Sequence, residues 1–418
     1  MIERPDLFSG RGYLYVLLLF LTLFLLSLSI EYFSYKKLSS QKNATLTCKV
    51  VNQYEKSRGS HSYYILKLDC GDTLVYTSQR LSLGDMTGQK ITAEFSLNKL
   101  DFLGYLKGFY AKSKILYGED EDDFKTRLNT LISAQHSNKD AAEIYKALYT
   151  ASPLKKELRQ KLSSLGISHL MAISGFHLGV LSTVLFFFFG LFYKPLQNRY
   201  FPYRSAGRDL FAAVAFFLFF YVWFLDFTPS LLRSFTMLAV GYFLYDRGLK
   251  VLSMQTLFVS VLLLVALMPK LLLSIGFWLS VSGVFYIFLF LIHLGGMKKL
   301  SIFLLLPVFV YLSMLPFSLY IFGIFSLLHP LSIIWTTLFT LFYPLSILMH
   351  MAGFGGIFDG WLLKLLSLGE SFQTLHVSAT LFYIHIGLSF LAVRYRLFFY
   401  ALAVFSFLFL IYAMQNVA

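Results

Sequence analysis

The chain has 418 residues, 57 % hydrophobic and 18 % aromatic, with only 14 % charged and a formal net charge of +14. Soluble domains average about 25 % charged residues, so this composition excludes an ordinary soluble protein and points to an integral membrane protein. The basic excess by itself names no nucleic-acid partner, because cytoplasmic loops of any inner-membrane protein collect Lys and Arg.

Residues 1–12 are polar. Tyr13–Ile30 is a continuous apolar run, too long for a signal peptide and with no small-residue cleavage site after it. It reads as a retained first span with the N-terminus in the cytoplasm, making residues 1–30 an N-terminal transmembrane helix.

From Asn43 to Leu100 the pattern has period two. Leu46, Cys48 and Val50 share a face, as do Tyr64, Leu66, Leu68 and Cys70, and again Ile91, Ala93, Phe95 and Leu97. Such alternation marks half-buried strands. Turn signals at Ser57-Arg58-Gly59-Ser60 and Gly71-Asp72 separate them. Residues 31–103 therefore predict a small β-barrel domain of the oligonucleotide-binding (OB-like) type. Cys48 and Cys70 are the two cysteines of the chain and both lie on apolar faces, so a core disulfide is expected if the domain faces an oxidising compartment.

Residues 104–168 change to helical period and read as an amphipathic helical linker, with helices over 122–134, 140–151 and 153–165. The acidic cluster Glu119–Asp123 is expected to be a solvated helix start rather than a metal site. Residues 31–168 carry 21 Lys and Arg against 15 Asp and Glu.

Beyond Ser168 the chain is nearly all membrane. Spans are predicted near 169–192, 209–225, 229–245, 251–268, 271–293, 301–322, 329–350, 376–393 and 396–413, making about ten with the first. Lys194, Arg199, Arg204, Arg208, Arg247, Lys250, Lys298, Lys299, Arg394 and Arg396 then fall in cytoplasmic loops, and Lys270 and Lys364 in short external ones. That asymmetry puts residues 31–168 outside the cytoplasm. Alternation does not close over 301–393 unless Leu315–Leu328 is broken or re-entrant, and Pro316, Gly323 and Pro330 suit a break.

The stretch Gly166–Leu185 is not a plain apolar helix. At about 100° per residue, Ser168, Ala172, Gly175, Gly179 and Ser182 form one stripe that would let a neighbouring helix backbone come close. His169 and His177 edge that stripe and are expected to face the bundle interior. Ser174 and His177, three apart, also fit a nucleophile and base, but neither an orienting group nor an oxyanion hole is readable. Asp226 and Arg233 flank the start of the fourth span. Arg233 reads either as a cation for an anionic substrate or as a snorkelling or Asp226-paired arginine. The remaining histidines lack zinc spacing, and no Gly-rich phosphate loop is present, so no metal, cofactor or nucleotide hydrolysis is expected.

The segment LGISHLMAISGFHLGVL closely resembles the signature helix of the ComEC family, the inner-membrane channels for DNA uptake in natural transformation. Thr228–Met237, with Ser230 and Arg233, is similar to the family's Ser-x-x-Arg segment. Met268–Val284, with Gly276, Phe277 and Ser280, resembles its Gly-Phe-x-Leu-Ser segment. Leu315–Ser332, with Pro316, Phe322, Gly323 and Pro330, resembles a fourth. The resemblance implies a competence-type multi-span channel core over 169–418 that passes single-stranded DNA to the cytoplasm and is not itself an enzyme. It further implies a periplasmic DNA-receptor protein and other competence components as partners, with a cytoplasmic motor or single-strand-binding proteins, self-association being left open. The chain carries no His-x-His-x-Asp-His run, so it resembles a short form without a metallo-β-lactamase-like domain, and degradation of the second strand is expected of another protein. The rival readings are a small-molecule transporter, an intramembrane processing enzyme using Ser174 and His177, and a membrane scaffold.

Overall fold

The computed structural model describes residues 12–417 except 59–60, 72, 80–83, 85, 98–99, 120–122, 172, 249–250 and 252. Residues 1–11, Gly59, Ser60, Asp72, the acidic residues 120–122, Ala172 and Lys250, all referred to above, lie outside the described residues. The chain forms two compact units, Ser9–Leu131 with Leu262–Ile275, and Ile132–Val261 with Gly276–Ala418.

In the first of these, Gly12–Ser39 is one helix of 28 residues, longer than the apolar run that predicts it. At about 1.5 Å per residue it exceeds a hydrocarbon core of about 30 Å, and Lys36 and Lys37 close its last turn, where the helix dipole favours cations. A six-stranded sheet follows: β1 (Asn43–Arg58), β2 (His61–Asp69), β3 (Leu74–Gln79), β4 (Lys90–Ser96), β5 (Phe109–Tyr110) and β6 (Ser113–Glu119), in the order β5-β3-β2-β1-β4-β6. β1, β2 and β3 form an antiparallel meander, and β4 pairs antiparallel with the other edge of β1. β5 then runs parallel to β3 while β6 runs antiparallel to β4. Residues 109–119 thus bond to both edges of the sheet, bridged by Ala111 N–H to the Tyr76 carbonyl (2.9 Å) and Ser96 N–H to the Lys112 carbonyl (3.0 Å).

The predicted alternation holds. Cys48, Val50, Leu66, Leu68, Ile91, Ala93, Phe95 and Leu97 are buried together, joined by Ala44 and Val75. The stretch read as helical from residue 104 differs: only Phe102–Lys107 is helical there, capped by Asp101, and the chain returns to strand through residue 119. Gly108, at φ 98°, makes that switch, because an L side chain resists this conformation and would also press on Leu74 and Tyr76.

A disulfide joins Cys48 to Cys70, 22 positions apart. Closing a loop of this size limits the unfolded chain and stabilises by about 3 kcal/mol. Replacing both cysteines with Ala is expected to lower the stability of the sheet by that amount, read from urea unfolding of the full-length protein.

Among the described residues, seven helices are long and apolar enough to cross a membrane: Gly12–Ser39, Gly175–Tyr200, Ala206–Phe224, Ile275–Leu294, Lys299–Phe322, His329–Met351 and Arg396–Gln415. Several belong to the second unit, and the chain is a multi-pass membrane protein. Three further predicted spans are helices that are shorter or less apolar: Pro229–Asp246, Met254–Leu267 and Ala379–Arg394. Val214, Leu218, Val222 and Leu225 pack with Leu178 and Leu231, spacings of four, four and three that build one helix face. Deeper polar contacts join other helices. The Tyr286 hydroxyl lies 2.9 Å from both His385 Nε2 and Ser389 Oγ, and His385 Nε2 lies 2.9 Å from the Ser313 carbonyl. Such bonds hold helices together where lipid gives no hydrophobic drive.

The break expected within Leu315–Leu328 is present, at Gly323 rather than at Pro316. Lys299–Phe322 stays helical through Pro307 and Pro316 and ends at Gly323, whose φ of 64° is a left-handed cap. β7 (Ile324–Phe325) then pairs antiparallel with β8 (Gln373–Thr374), and a single 3₁₀ turn, His329–Leu331, leads into the helix Ser332–Met351. The interruption is therefore residues 323–331, set by a glycine and a strand pair instead of by Pro316.

Candidate functional site

The stretch predicted as one helix from Gly166 is broken. A short helix, Ser168–Met171, ends before Ile173, and Ser174 in extended conformation (φ −126°, ψ 176°) caps the helix Gly175–Tyr200. The local chemistry explains the break. Ser174 Oγ accepts from Phe176 N–H (3.3 Å), and His177 reaches back so that Nδ1 accepts from Ser174 N–H (3.1 Å). This is a capping box with histidine where glutamate is usual, and it satisfies N–H groups that a helix start otherwise leaves orphaned. Ser174 Oγ is also 3.2 Å from His177 Nδ1, so the two do meet, but that nitrogen is engaged by the cap. His177 is fully buried, with its ring edge-to-face with Tyr343 at 4.6 Å and Phe339 at 5.2 Å.

The small-residue stripe divides once the helix is broken. A side chain at Gly175 would collide with Ser234 and stand 2.9 Å from the Arg233 guanidinium, so here a glycine does admit a close neighbour. Gly179 faces open space, and Ser182 bonds back to the Gly179 carbonyl (2.9 Å). His177 is interior as expected; His169 keeps solvent access but stands near enough to His177 and His329 to act on both, with Nε2 3.5 Å from Thr336 Oγ1.

Gly166 is constrained both by its backbone and by its neighbours. It closes the helix Lys156–Ser164 at φ 70°, with Ile167 N–H returning to the Leu162 carbonyl (2.9 Å). A Cβ there would lie 2.8 Å from the His329 ring and 2.9 Å from Ser332 Cβ. His329 is held in place by the Tyr311 hydroxyl (2.9 Å from Nδ1) and by stacking on Phe325 at 5.1 Å. Just before it, Ser164 Oγ donates to the Gly369 carbonyl (2.9 Å) and Ser326 Oγ donates to the Ser164 carbonyl (2.7 Å). Lys161 pairs with Glu370 at 2.8 Å, and this hydrogen bond holds the Glu370 carboxyl below its ordinary value.

Arg233 lies on the helix Pro229–Asp246, which Thr228 and Pro229 start in the usual order. It is only 4 % exposed. Nε donates to Ser280 Oγ (2.9 Å), one terminal nitrogen to Ser234 Oγ (2.9 Å) and the other to Met237 Sδ (3.2 Å). All three partners are neutral. Neither the snorkelling nor the Asp226-paired reading describes it, because Asp226 is exposed, in a turn at φ 55°, and is not among these partners. Ser230 Oγ donates to the Ile173 carbonyl (2.6 Å), which ties this helix to the break before Ser174.

The four resembling segments thus meet. Ile173–His177 touches Ser230, Arg233 and Ser234; Arg233 reaches Ser280; Gly166 seats His329. Within those segments Phe277 and Pro316 are buried, Pro330 is half-buried, and Gly276 and Phe322 are exposed. Phe322 and Gly276 are thereby separated from the buried cluster. Long-range partners that no sequence spacing indicates complete its surroundings: Phe339 and Tyr343 against His177, and the Tyr221 hydroxyl 3.2 Å from that of Tyr343. Among the described residues, no group of three or more His, Cys, Asp or Glu is arranged to hold a metal ion.

A family model described as Competence protein matches residues 150–414, more than half of the chain and all of this cluster. The chain belongs to the competence protein family. Membership carries a role in competence, the uptake of DNA, and the matched range of this competence protein begins just ahead of Gly166 and includes Arg233 and Ser280. No curated protein and no solved structure matches the chain.

Proposed function

We propose that this protein is the inner-membrane channel that passes single-stranded DNA into the cytoplasm during natural transformation. The observation that carries the reading is Arg233, a guanidinium buried against three neutral partners where the four family-like segments meet. Burying a charge without a counter-charge costs several kcal/mol, and a site that bears this cost is suited to meeting an anion that arrives from elsewhere. A phosphate is the partner whose oxygens match the guanidinium fork.

In this reading Pro229–Asp246, Met254–Leu267 and Ala379–Arg394 complete a core of about ten spans. The sheet closes as a small barrel of the oligonucleotide-binding type, residues 109–119 sealing it, and lies outside the cytoplasm, where its disulfide persists. Lys270, assigned to an external loop by charge, bonds Glu31 (2.8 Å), which begins the external segment; this agrees with the assignment. The barrel takes DNA from a periplasmic receptor, and a cytoplasmic motor or single-strand-binding proteins draw it through.

The test is uptake of labelled duplex DNA in a host deleted for this gene. Label held outside the inner membrane, loss of transformants and rescue by the wild-type gene are the expected results. Unchanged transformation overturns the proposal and moves a small-molecule transporter to the front.

A further inference from the structure

Away from Arg233, two imidazoles meet nitrogen to nitrogen. His136, just after the helix Phe124–Ala134, has Nε2 3.0 Å from Nε2 of His350, at the end of the helix Ser332–Met351. Each ring has its other nitrogen on an oxygen acceptor. His136 Nδ1 is 2.9 and 3.1 Å from the two carboxylate oxygens of Asp359, the first residue of the helix Asp359–Leu368. His350 Nδ1 is 2.7 Å from the Ser346 carbonyl oxygen, with the Tyr149 hydroxyl at 3.2 Å.

These contacts can be counted in protons. A backbone carbonyl only accepts, so His350 Nδ1 carries a hydrogen. The carboxylate contact needs a second hydrogen, and the nitrogen–nitrogen contact a third. Two neutral imidazoles supply two. With only those, either two nitrogen lone pairs face each other or a carboxylate faces a lone pair, and the His136 side chain is fully buried while that of Asp359 is 14 % exposed. Neither arrangement is tolerable without water.

We propose that Asp359, His136 and His350 form a binding site for one proton, held between the two rings and balanced by the carboxylate. Imidazole is the stronger base, so the proton sits on a ring and the site as a whole is neutral. A metal ion is the other electrophile that two such nitrogens accept. The separation favours the proton: 3.0 Å is a hydrogen-bond length, whereas two nitrogens on one tetrahedral ion, each at about 2.0–2.1 Å, stand about 3.3 Å apart.

The surroundings fit a bound charge. Tyr145 stacks on His136 at 4.5 Å with planes 7° apart and lies 4.6 Å from the His350 ring. Burial, and then Asp359, push its phenol above the ordinary range, so it stays neutral. Tyr149, on the same helix, donates to Ser346 Oγ at 2.8 Å and is also pushed up by burial. Apart from Asp359 these are, among the described residues, the titratable groups placed against the two rings. Gln135 closes the site, donating to the His350 carbonyl (3.1 Å) and accepting from Gly355 N–H (2.9 Å). A Cβ at Gly355 would stand 2.8 Å from His350 Nε2, so the loop lies directly over the ring.

The proton therefore clamps residues 135–136 to the end of one helix and the start of another. Above the ordinary histidine range the folded site holds one proton more than the unfolded chain, so the clamp weakens as pH rises through the release of that proton. In acid the unfolded chain binds more protons than the site, since a fourth proton sets two N–H groups against each other. The clamp is closed between these limits and opens on both sides.

The experiment is a pH titration of the full-length protein in lipid nanodiscs with ¹⁵N-labelled histidine. At pH 8 an ordinary histidine is about 3 % charged. The wild type is expected to keep one imidazolium signal at that pH, absent in His136→Gln and in His350→Gln and lost by pH 8 in Asp359→Asn. If all nine histidines of the wild type are neutral at pH 8, the proposal fails, whatever the variants do. It fails equally if Asp359→Asn keeps the signal, or if the ring signals shift on adding EDTA, which would make the bound cation a metal.

Discussion

Arg233→Met is expected to abolish transformation while leaving the protein folded in the membrane. Most substitutions of a fully bonded buried residue lose stability and function together. Arg233 differs because its bonds go only to Ser280, Ser234 and Met237. Methionine has similar length and removes the desolvation cost of the charge, at the expense of a few hydrogen bonds of about 1 kcal/mol each. The thermal midpoint is therefore expected to hold or rise. On the proposed channel reading, the function lost is the charged contact with phosphate, about 1.5–3 kcal/mol for each hydrogen bond, or roughly 10–150-fold apiece. Arg233→Lys keeps the charge but not the fork and is expected to fall between. Transformant counts beside membrane-fraction immunoblots and thermal unfolding in detergent make the comparison. A Met variant that transforms normally removes Arg233 from the path.

Gly166→Ala is expected to cost several kcal/mol, and Gly179→Ala nothing. Both glycines belong to the same family-like stretch. At Gly166 a methyl group meets a left-handed backbone, worth about 1–2 kcal/mol, and the His329 ring 2.8 Å away, an overpacking cost of about 1–3 kcal/mol. Ser332 and the Tyr311 hydroxyl leave His329 little room to retreat. At Gly179 nothing stands within 4 Å, and exchanging Gly for Ala inside a helix gains about 0.5–1 kcal/mol. Urea unfolding of the two variants gives the difference directly, and equal stabilities would show that His329 does not seat on Gly166.

Where sequence reading succeeded, the signal was local and repeated. The alternation of Cys48 with Val50, or of Ile91 with Phe95, could be read because a strand sends every second residue to one face. Where it went astray, a distant contact or a cap outweighed periodicity. The stripe from Ser168 to Ser182 has helical spacing, yet Ser174 and His177 satisfy the helix start so well that the chain breaks before Gly175. Of the residues that suited a break in 315–328, the helix passes through Pro316 and stops at Gly323, which adopts a left-handed conformation and whose carbonyl accepts from Leu375 N–H (2.7 Å). Residues 109–119 became strand because two free sheet edges offered hydrogen bonds that a short helix would forgo.

The sequence by itself determined that this is a multi-pass membrane protein with a β domain carrying both cysteines on apolar faces, and a competence-type core. Composition, period and a handful of motif residues carry that information, and none of it depends on what meets what. Only the tertiary structure decided that Ser174 and His177 cap a helix, that Arg233 is buried among neutral groups, and that His136, His350 and Asp359 form one site. Those residues are separated by 214 and 223 positions along the chain. Hydrogen bonds act over about 3 Å in space, and no spacing along the chain encodes such a meeting.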